Sequence, residues 1–285
     1  MGTLLRRGAG TLVALVISMG ALSAPAFAAD PYQVPNPLSP PHPGVARIHM
    51  QWNWYTGATH CSGFLYGNPL VGVGLYWTAA TAAHCVWDPI ARVHININPM
   101  FPGYSTAQPG YSNGSLYPGC AVLGVFISPL YHSGVNTSAE EDYAALRLDC
   151  PYGYPGPAPI AIWQTDGLSQ DSTNSWAASY PSGNVNLGDQ SWWNGSTMVE
   201  SYRNWFYSSS ITGCSLTLCL RHSHPIAGGS SGGVVFAQSQ AGVPNCPSYC
   251  SIANLTAFRT QPPVYSVGTR WTQPKVSQLA FWRDA

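Results

Sequence analysis

Short runs of alternating polar and apolar residues, separated by turns rich in glycine and proline, recur along almost the whole chain. In the first run, Ile48, Met50 and Trp52 alternate with polar residues, which is the pattern of a half-buried β-strand. The 29 glycines and 25 prolines supply the turns between such runs. A segment with helical length and period appears only at 271–282. The pattern therefore predicts an all-β protein that ends in a short C-terminal helix.

The candidate strands fall into two groups, separated by a proline-rich stretch at 150–159. They are 47–52, 60–66, 71–77, 92–98, 121–127, 143–148, 161–163, 175–180, 197–202, 205–211, 216–221, 233–237 and 251–259. Many short strands at regular spacing are typical of antiparallel barrels or sandwiches. Residues 99–118, rich in glycine, proline, serine and tyrosine, are expected to form a long surface loop.

The N-terminal residues have the features of a secretory signal peptide. Arg6 and Arg7 precede an apolar run, which ends in a small-x-small cleavage site at 26–28. An uncleaved membrane anchor is the alternative, but the run is short and is broken by glycine and proline. Residues 29–44 carry six prolines and are expected to form an extended leader. The predicted divisions are a signal peptide at 1–28, the leader at 29–44, and two domains at 45–150 and 151–285.

The charge of the chain restricts its partners. Without Arg6 and Arg7 it has 9 basic and 11 acidic residues, a net charge of −2. So small a charge argues against nucleic acid or an anionic membrane as a partner. The signal peptide indicates an exported protein, extracellular or periplasmic. Together with the small net charge, it leads us to expect no stable membrane association.

The eight cysteines are even in number and belong to an exported chain, so disulfides are expected. Zinc is the alternative, but the later cysteines lack the spacing of paired zinc knuckles. We therefore expect no metal. Pairing of sequence neighbours gives the bridges Cys61–Cys85, Cys120–Cys150, Cys214–Cys219 and Cys246–Cys250.

A serine framed by glycines, Ser231 in the run GGSSGGV at 228–234, is the candidate nucleophile. Glycines allow a tight turn that presents the hydroxyl, and they let backbone N–H groups converge on one point. On its own this pattern is more often a plain loop. Ser230 is the alternative nucleophile, but the two glycines that follow Ser231 favour Ser231.

Two further residues supply what a serine nucleophile needs. His84 lies in the run TAAHC at 81–85, and Asp142 precedes the apolar run 143–148. A histidine can act as the base for the serine hydroxyl, and an aspartate can orient the histidine. The order histidine, aspartate, serine excludes an α/β-hydrolase, in which the histidine follows the serine. It also excludes the subtilisin order, which begins with the aspartate.

These motifs resemble those of the trypsin/chymotrypsin-like serine peptidases, in particular the bacterial or glutamyl-endopeptidase-like branch. The resemblance covers roughly residues 45–285. It implies two antiparallel six-stranded β-barrels with the active site in the cleft between them. It also implies a catalytic triad of His84, Asp142 and Ser231, an oxyanion hole formed by the N–H groups of Gly229 and Ser231, and a Cys61–Cys85 bridge beside the histidine. The expected protein is a monomeric endopeptidase that acts on proteins or peptides without a cofactor.

The chain departs from the family at two positions near the serine. Many animal members have an aspartate immediately before the nucleophile, which pairs with a new N-terminus upon activation; this chain has Ser230. We therefore expect the oxyanion loop to be held by local hydrogen bonds, and activity not to depend on one N-terminus. Pro225 lies where trypsin-type members have the aspartate of the specificity pocket, so selection for Arg or Lys is not expected.

Other residues are candidates for substrate binding. Asn254, Leu255 and Thr256 are expected to line the cleft and to pair with the substrate backbone. Glutamyl endopeptidases use a histidine after the serine to bind the substrate carboxylate, and this chain has none there. His222 and His224 lie just upstream and could take that role, although the interpretation that they are surface-loop residues is favoured.

Two other functions are consistent with parts of the sequence. The first is a protein with the peptidase fold that has lost activity and serves in binding. The second is an extracellular carbohydrate-binding module, suggested by the 11 Trp and 16 Tyr residues. Aromatic residues more often fill a core, and the complete set of triad residues favours the enzyme.

Overall fold

The computed structural model is an all-β protein with a C-terminal helix. It describes residues 32–52, 55–97, 104–111, 117–152, 156–165, 173–182, 195–196, 198–206, 218–222, 224, 226–238, 246, 249–259 and 265–285. The expected signal peptide, Cys214 and Pro225 lie outside these residues. Among the described residues, no helix is both long enough and apolar enough to cross a membrane.

The described residues contain 16 strands and two α-helices. In the first half of the chain, the elements are β1 (Tyr32–Gln33), β2 (Val45–Trp52), β3 (Tyr55–Asn68), β4 (Val73–Thr81), β5 (Trp87–Asp88), β6 (Val93–His94), β7 (Thr106–Pro109), β8 (Cys120–Ile127), α1 (Pro129–His132) and β9 (Ala144–Asp149). In the second half, they are β10 (Ala161–Ile162), β11 (Thr173–Ser179), β12 (Val199–Phe206), β13 (Cys219–His222), β14 (Val234–Gln238), β15 (Tyr249–Arg259), β16 (Tyr265–Arg270) and α2 (Gln273–Asp284).

The first unit is a closed antiparallel barrel with the strand order β2-β3-β4-β9-β8-β7. Its interior follows the period-two pattern of the sequence, because Ile48 and Met50 of β2 are buried while the residue between them is not. The barrel has six strands, as expected, but one of them is different. Thr106–Pro109 is a barrel strand, whereas it was expected to be part of a surface loop.

The predicted strand at 92–98 is wrong as a barrel strand. Of its described residues, 92–97, only Val93–His94 forms a strand, which pairs with β5 as a separate two-stranded sheet. Thr106–Pro109 takes its place because it pairs with β2 on one side and with β8 on the other. These strands are distant in sequence, and local alternation does not reveal such pairing.

The second unit is an eight-stranded sheet. Six of its strands pair in a ring, β12-β11-β14-β15-β16-β13, because β13 also pairs with β12. The remaining two, β1 and β10, add to β12 and β15. The expected second six-stranded barrel is therefore present as this ring of strands, with two short strands attached to it.

Three of the apolar clusters that the described residues form build most of the core. One fills the first barrel and another fills the second sheet. The third lies between the two units and contains Phe64 from β3, Phe236 from β14, and Trp271 and Trp282 at the C-terminal end. Burial of apolar area in this third cluster holds the two units against each other.

Helix α2 closes the junction between the two units. Its buried residues are Lys275, Leu279 and Trp282, and the ring of Trp282 stacks on that of Phe126 in the first barrel. The Leu279 carbonyl accepts a hydrogen bond from the Tyr66 hydroxyl at 3.1 Å. The helix agrees with the expected one to within two residues at each end.

The described part of the proline-rich leader packs against the second sheet. Strand β1 pairs with β12, and the Val34 N–H donates to the Met198 carbonyl at 2.9 Å. His42 Nε2 lies 2.6 Å from a carboxylate oxygen of Glu200, which is buried. These contacts bind the leader to the outside of the ring of strands.

Three of the four expected disulfides are present: Cys61–Cys85, Cys120–Cys150 and Cys246–Cys250. Cys219 is also disulfide-bonded, and its expected partner, Cys214, is not among the described residues. No described cysteine is free. Disulfides are typical of proteins in an oxidising compartment.

We predict that the double substitution Cys61→Ala and Cys85→Ala lowers the free energy of unfolding. The bridge closes a segment with a sequence separation of 24 residues. A loop of that length is expected to contribute about 3 kcal/mol, mainly by restricting the unfolded chain. Denaturant unfolding of wild type and variant measures the difference, and peptide mapping without reduction should recover the Cys61–Cys85 pair. A free thiol at Cys85 in the folded protein would contradict the assignment.

Candidate active site

His84 lies at the end of a barrel strand, in a turn that a disulfide fixes. Strand β4 ends at Thr81, and a short 3-10 turn follows at Ala83–Cys85. Cys85 is bonded to Cys61 of the neighbouring strand β3, with a Cα–Cα distance of 6.2 Å. The His84 side chain is 38% exposed. The turn therefore presents one imidazole to solvent from an otherwise buried segment.

Asp142 binds His84 through both carboxylate oxygens. Oδ1 accepts a hydrogen bond from the His84 backbone N–H at 2.9 Å, and Oδ2 lies 2.6 Å from His84 Nδ1. The Asp142 side chain is buried, so this contact is shielded from water. Because a carboxylate accepts, Nδ1 carries the proton and Nε2 is left with its lone pair. This tautomer is the one that a general base needs.

The neighbouring carboxylates have other partners. A Glu140 oxygen accepts a hydrogen bond from Asn136 Nδ2 at 2.6 Å. Glu141 accepts one from the Ser128 hydroxyl. Of these three consecutive acids, Asp142 is the one that the structure brings to His84.

The pKa of His84 reflects two opposed influences. Burial lowers it, but the negative charge and the hydrogen bond of Asp142 raise it by more, so that it lies above the ordinary value of 6.5. A histidine in this position accepts a proton more readily than one in water. It remains available as a base above its own pKa.

Ser231 lies on a glycine turn that contacts the first barrel. Gly232 has φ +79°, and a Cβ there would overlap the Thr81 hydroxyl and the Ser62 carbonyl. Only glycine allows this approach. The Ser231 carbonyl accepts a hydrogen bond from the Ser62 N–H at 2.8 Å. The turn is thus fixed to β3 next to the Cys61–Cys85 bridge and His84.

The Ser231 hydroxyl has one weak contact, a donation to the Thr256 carbonyl at 3.5 Å. No hydrogen bond joins it to the described atoms of His84 in this structure. The backbone amides of Gly229 and Ser231 likewise donate to no described residue. The turn therefore contains one weakly held hydroxyl and two N–H groups, separated by Ser230, that donate to no described residue.

Three solved structures that are similar to this one are described as proteases or endopeptidases. One is described as a Glu endopeptidase in complex with MPD, with 15% identity over 89% of this chain and 96% of that one, and a TM-score of 0.64. Another is the thermostable serine protease AL20 from an extremophilic microorganism, with 18% identity over 84% and 95% and a TM-score of 0.60. A third is the protease Anisep from Arthrobacter nicotinovorans, with 14% identity over 84% and 94% and a TM-score of 0.58.

The chain has the chymotrypsin fold. No protein-family model and no curated protein matches its sequence. At these identities the comparison establishes the fold of the chain, and its function must be argued from the site.

Within this chymotrypsin fold, Ser230 is a buried structural residue. Its hydroxyl accepts a hydrogen bond from the Ala227 N–H at 3.1 Å and another from the Ser179 hydroxyl at 3.1 Å. Its backbone N–H donates to the Ala227 carbonyl at 3.0 Å. The loop is thus closed by local hydrogen bonds, as expected, and Ser231 is the more accessible of the two serines.

The structure gives Asn254 and Leu255 roles other than substrate pairing. The Asn254 amide donates to the Thr81 and Asp142 carbonyls at 3.3 Å and 3.2 Å, beneath the histidine and aspartate. The Leu255 N–H and C=O bond to Gly233 and Gly232, which belong to the serine turn. Both side chains are fully buried. Of the three expected residues, Thr256 is the one whose carbonyl reaches Ser231.

His222 and His224 are buried, so their interpretation as surface-loop residues is wrong. The His224 ring nitrogens contact the Ser175 and Ser201 hydroxyls at 2.9 Å and 2.8 Å. The His222 ring lies beside that of His224, and burial lowers its pKa to about 3. Both rings pack inside the second sheet because serines from distant parts of the chain and apolar neighbours surround them. The polar residues next to them in the sequence give no indication of this burial.

The potential ligand atoms of Cys61, His84 and Cys85 lie within 4.8 Å of one another. Both sulfurs are joined in the disulfide, so this group lacks the thiolates that bind zinc.

We predict that Asp142→Asn lowers the pKa of His84. The substitution removes the negative charge that raises the pKa, whereas burial, which lowers it, remains. In the wild type the raised pKa means that the folded state binds the proton of His84 more tightly than the unfolded state does. The resulting stabilisation is fully present below about pH 6.5, the ordinary pKa, and is lost as the pH rises through the pKa of the folded state. NMR titration of the His84 ring protons measures both values. Glu141→Gln is the matched control and should leave the pKa close to that of the wild type. An unchanged pKa in Asp142→Asn would contradict the interpretation.

Proposed function

We propose that the protein is a secreted serine endopeptidase that hydrolyses peptide bonds through an acyl-enzyme on Ser231. The observation that carries the proposal is the double contact between His84 and Asp142, at 2.9 Å and 2.6 Å, beside a glycine turn with a weakly held serine hydroxyl. A buried carboxylate fixed to an exposed imidazole has a clear use in general base catalysis.

In this mechanism, His84 Nε2 takes the proton of the Ser231 hydroxyl as the oxygen attacks the peptide carbonyl. The hydroxyl must first leave the Thr256 carbonyl, and a contact of 3.5 Å costs little to break. Asp142 stabilises the imidazolium that forms. His84 then gives the proton to the departing amine, and water attacks the acyl-enzyme with His84 again acting as base.

The charge on the tetrahedral intermediate would be stabilised by the N–H groups of Gly229 and Ser231. Both donate to no described residue, so they are available without breaking an existing bond. Donors that are oriented beforehand stabilise a developing charge more than water does, because they need not reorganise during the reaction.

The partner of the site is a protein or peptide in extended conformation. Thr256 and the exposed Ala257 continue β15 beyond its last pair with β14, at Asn254. A strand with an unpaired edge can add a substrate segment by backbone hydrogen bonds. We propose a monomeric enzyme without a cofactor, and Pro225 leads us to expect no preference for Arg or Lys.

The two other functions make different demands. A carbohydrate-binding module needs an exposed aromatic platform; among the described residues, the exposed large apolar side chains include Tyr76 and Phe281 but no tryptophan. An inactive homologue would keep the fold without the reactivity of Ser231. A fluorophosphonate, which reacts with activated serines, distinguishes the enzyme from both. Labelling of Ser231 supports the proposal, and retention on a polysaccharide column without labelling would favour the carbohydrate module.

We predict that Ser231→Ala lowers kcat by a factor of about 10⁶ with the fold intact, as expected for loss of a nucleophile. Ser230→Ala is the matched control, one position away. It removes an acceptor for the buried Ala227 N–H and should lower stability by about 1–3 kcal/mol, with a far smaller effect on kcat. Steady-state kinetics and thermal unfolding of both variants provide the test. Equal losses of kcat would mean that the nucleophile is misassigned.

We also predict that activity does not require one particular N-terminal ammonium. Ser230 is neutral and has its hydrogen bonds from within the second sheet, so an ammonium buried beside it would lack a counter-charge. Chains that begin at residue 29 and at several residues between 40 and 47 should titrate similarly with an active-site reagent. Starts that lack β1 should be less stable because they lose its pairing with β12. If a single start were active and acetylation of its amino group abolished labelling, the prediction would be wrong.

A further inference from the structure

The Tyr180 carbonyl lies close to Gly229, whose N–H donates to no described residue. Gly229 has φ +83°, and a Cβ built there would lie 2.7 Å from the Tyr180 carbonyl oxygen. The Gly228 carbonyl, on the same peptide group as this N–H, accepts hydrogen bonds from the Ser182 N–H at 2.6 Å and the Ser182 hydroxyl at 3.2 Å. Tyr180 is fully buried, and an unsatisfied acceptor in the interior is costly. A group that satisfies the Tyr180 carbonyl therefore removes one acceptor that could compete for the Gly229 N–H.

His60 occupies that carbonyl. His60 Nε2 lies 3.0 Å from the Tyr180 oxygen, and because a carbonyl can only accept, Nε2 is the donor. The ring fills the space next to Gly229, since a Cβ there would overlap Nε2. On its other side the ring lies against Gly195, whose carbonyl accepts a hydrogen bond from Arg47 Nε at 2.7 Å. The imidazole is thus held between two glycines with its donor directed at Tyr180.

Ser62, two residues further along β3, holds the other peptide group of Gly229. Its hydroxyl donates to the Gly229 carbonyl at 2.7 Å and accepts from the Tyr180 N–H at 2.8 Å. Alternate residues of a strand lie on the same face, so His60 and Ser62 approach the same pair of residues from one side. Together they bind both backbone groups of Tyr180 and the carbonyl of Gly229.

We propose that His60 and Ser62 are positioning residues that keep the Gly229 N–H free for the oxyanion, with His60 acting by occupying the Tyr180 carbonyl. The proposal rests on the proposed function, because it concerns the oxyanion hole of that reaction. It assigns to the first barrel the task of shaping a loop of the second sheet. Ser230 carries no charge, so it cannot shape this loop through an ion pair, and other residues must do so.

The environment of His60 keeps its ring neutral. Burial and then the charge of Arg47 lower the pKa of His60; the hydrogen bond to Tyr180 raises it less, and His49 lowers it slightly. The ring therefore adds no charge next to the oxyanion hole at the pH at which His84 acts as a base.

The test is a matched pair of polar substitutions. The amide nitrogen of Gln reaches the position of Nε2, whereas the shorter side chain of Asn does not. His60→Gln should keep the hydrogen bond to Tyr180, and His60→Asn should lose it. The control is His49→Asn, on the cross-strand neighbour of His60 in β2. Each variant is compared with the wild type by thermal unfolding, by kcat and KM on one peptide substrate, and by the crystal structure around Gly229.

We expect His60→Asn to lower kcat by about 10²-fold, the typical effect of losing one oxyanion donor, with KM changed by less than about twofold. His60→Gln should recover most of kcat, and His49→Asn should match the wild type. In the His60→Asn structure, the Gly229 N–H should be turned to the Tyr180 carbonyl. A wild-type kcat in His60→Asn, or equal losses in the Asn and Gln variants, would overturn the proposal.

The crystal structures separate this proposal from the proposed function. If the wild type neither cleaves peptides nor reacts with a fluorophosphonate, the proposed function fails. The positioning role then stands if the Gly229 N–H is free in the wild type and bound to Tyr180 in His60→Asn. The positioning role is overturned if Gly229 has the same orientation in the wild type and in His60→Asn, whether or not the protein is active.

Discussion

Two hydrogen bonds from Ser62 hold the loop of the candidate nucleophile next to the candidate base. The candidate base lies on the first barrel and the candidate nucleophile on the second sheet, so the two must be held in register by contacts between the units. Ser62 supplies them: its N–H donates to the Ser231 carbonyl at 2.8 Å, and its hydroxyl donates to the Gly229 carbonyl at 2.7 Å. A hydrogen bond is short and directional, so it fixes positions more narrowly than the apolar cluster behind it. Reactions between positioned groups are sensitive to displacements of about 1 Å.

The neutrality of the serine turn has a physical consequence for how the site forms. A buried carboxylate in place of Ser230 would need a buried counter-charge. The shape of the turn would then depend on when that counter-charge became available. A neutral hydroxyl needs no counter-charge, and that of Ser230 accepts hydrogen bonds from the Ala227 N–H and the Ser179 hydroxyl. The turn can therefore take its final shape when the second sheet folds. The same holds for the contacts from β3, which require only that the two units pack together.

Local patterns and distant contacts differ in how far the sequence reveals them. His84 and Ser231 could be predicted because a histidine beside a cysteine and a serine framed by glycines are contiguous motifs. The barrel strand Thr106–Pro109 could not, since an alternation over only four residues is too short to identify a strand, and its place follows from pairing with β2 and β8. His224 looked exposed in a polar stretch, but serines far away in the sequence bury it. The contacts of the Asn254 amide could not be predicted either, because its partners, the Thr81 and Asp142 carbonyls, come from the other unit.

The scarcity of charge in the sequence, 8% of residues, now has a structural interpretation around the site. Hydroxyl groups make the positioning contacts that ion pairs make in other proteins, because one hydroxyl can donate and accept hydrogen bonds at the same time. Thr269 is an example: its hydroxyl lies 2.6 Å from the Ala139 carbonyl, 3.0 Å from the Asp142 carbonyl and 3.2 Å from the Thr256 hydroxyl, which links the second sheet to the segment that carries the aspartate. Such a network does not titrate near neutral pH, whereas a histidine such as His84 does. A change of pH can therefore alter the charge of the reacting histidine while the hydroxyl framework that positions it stays as it is.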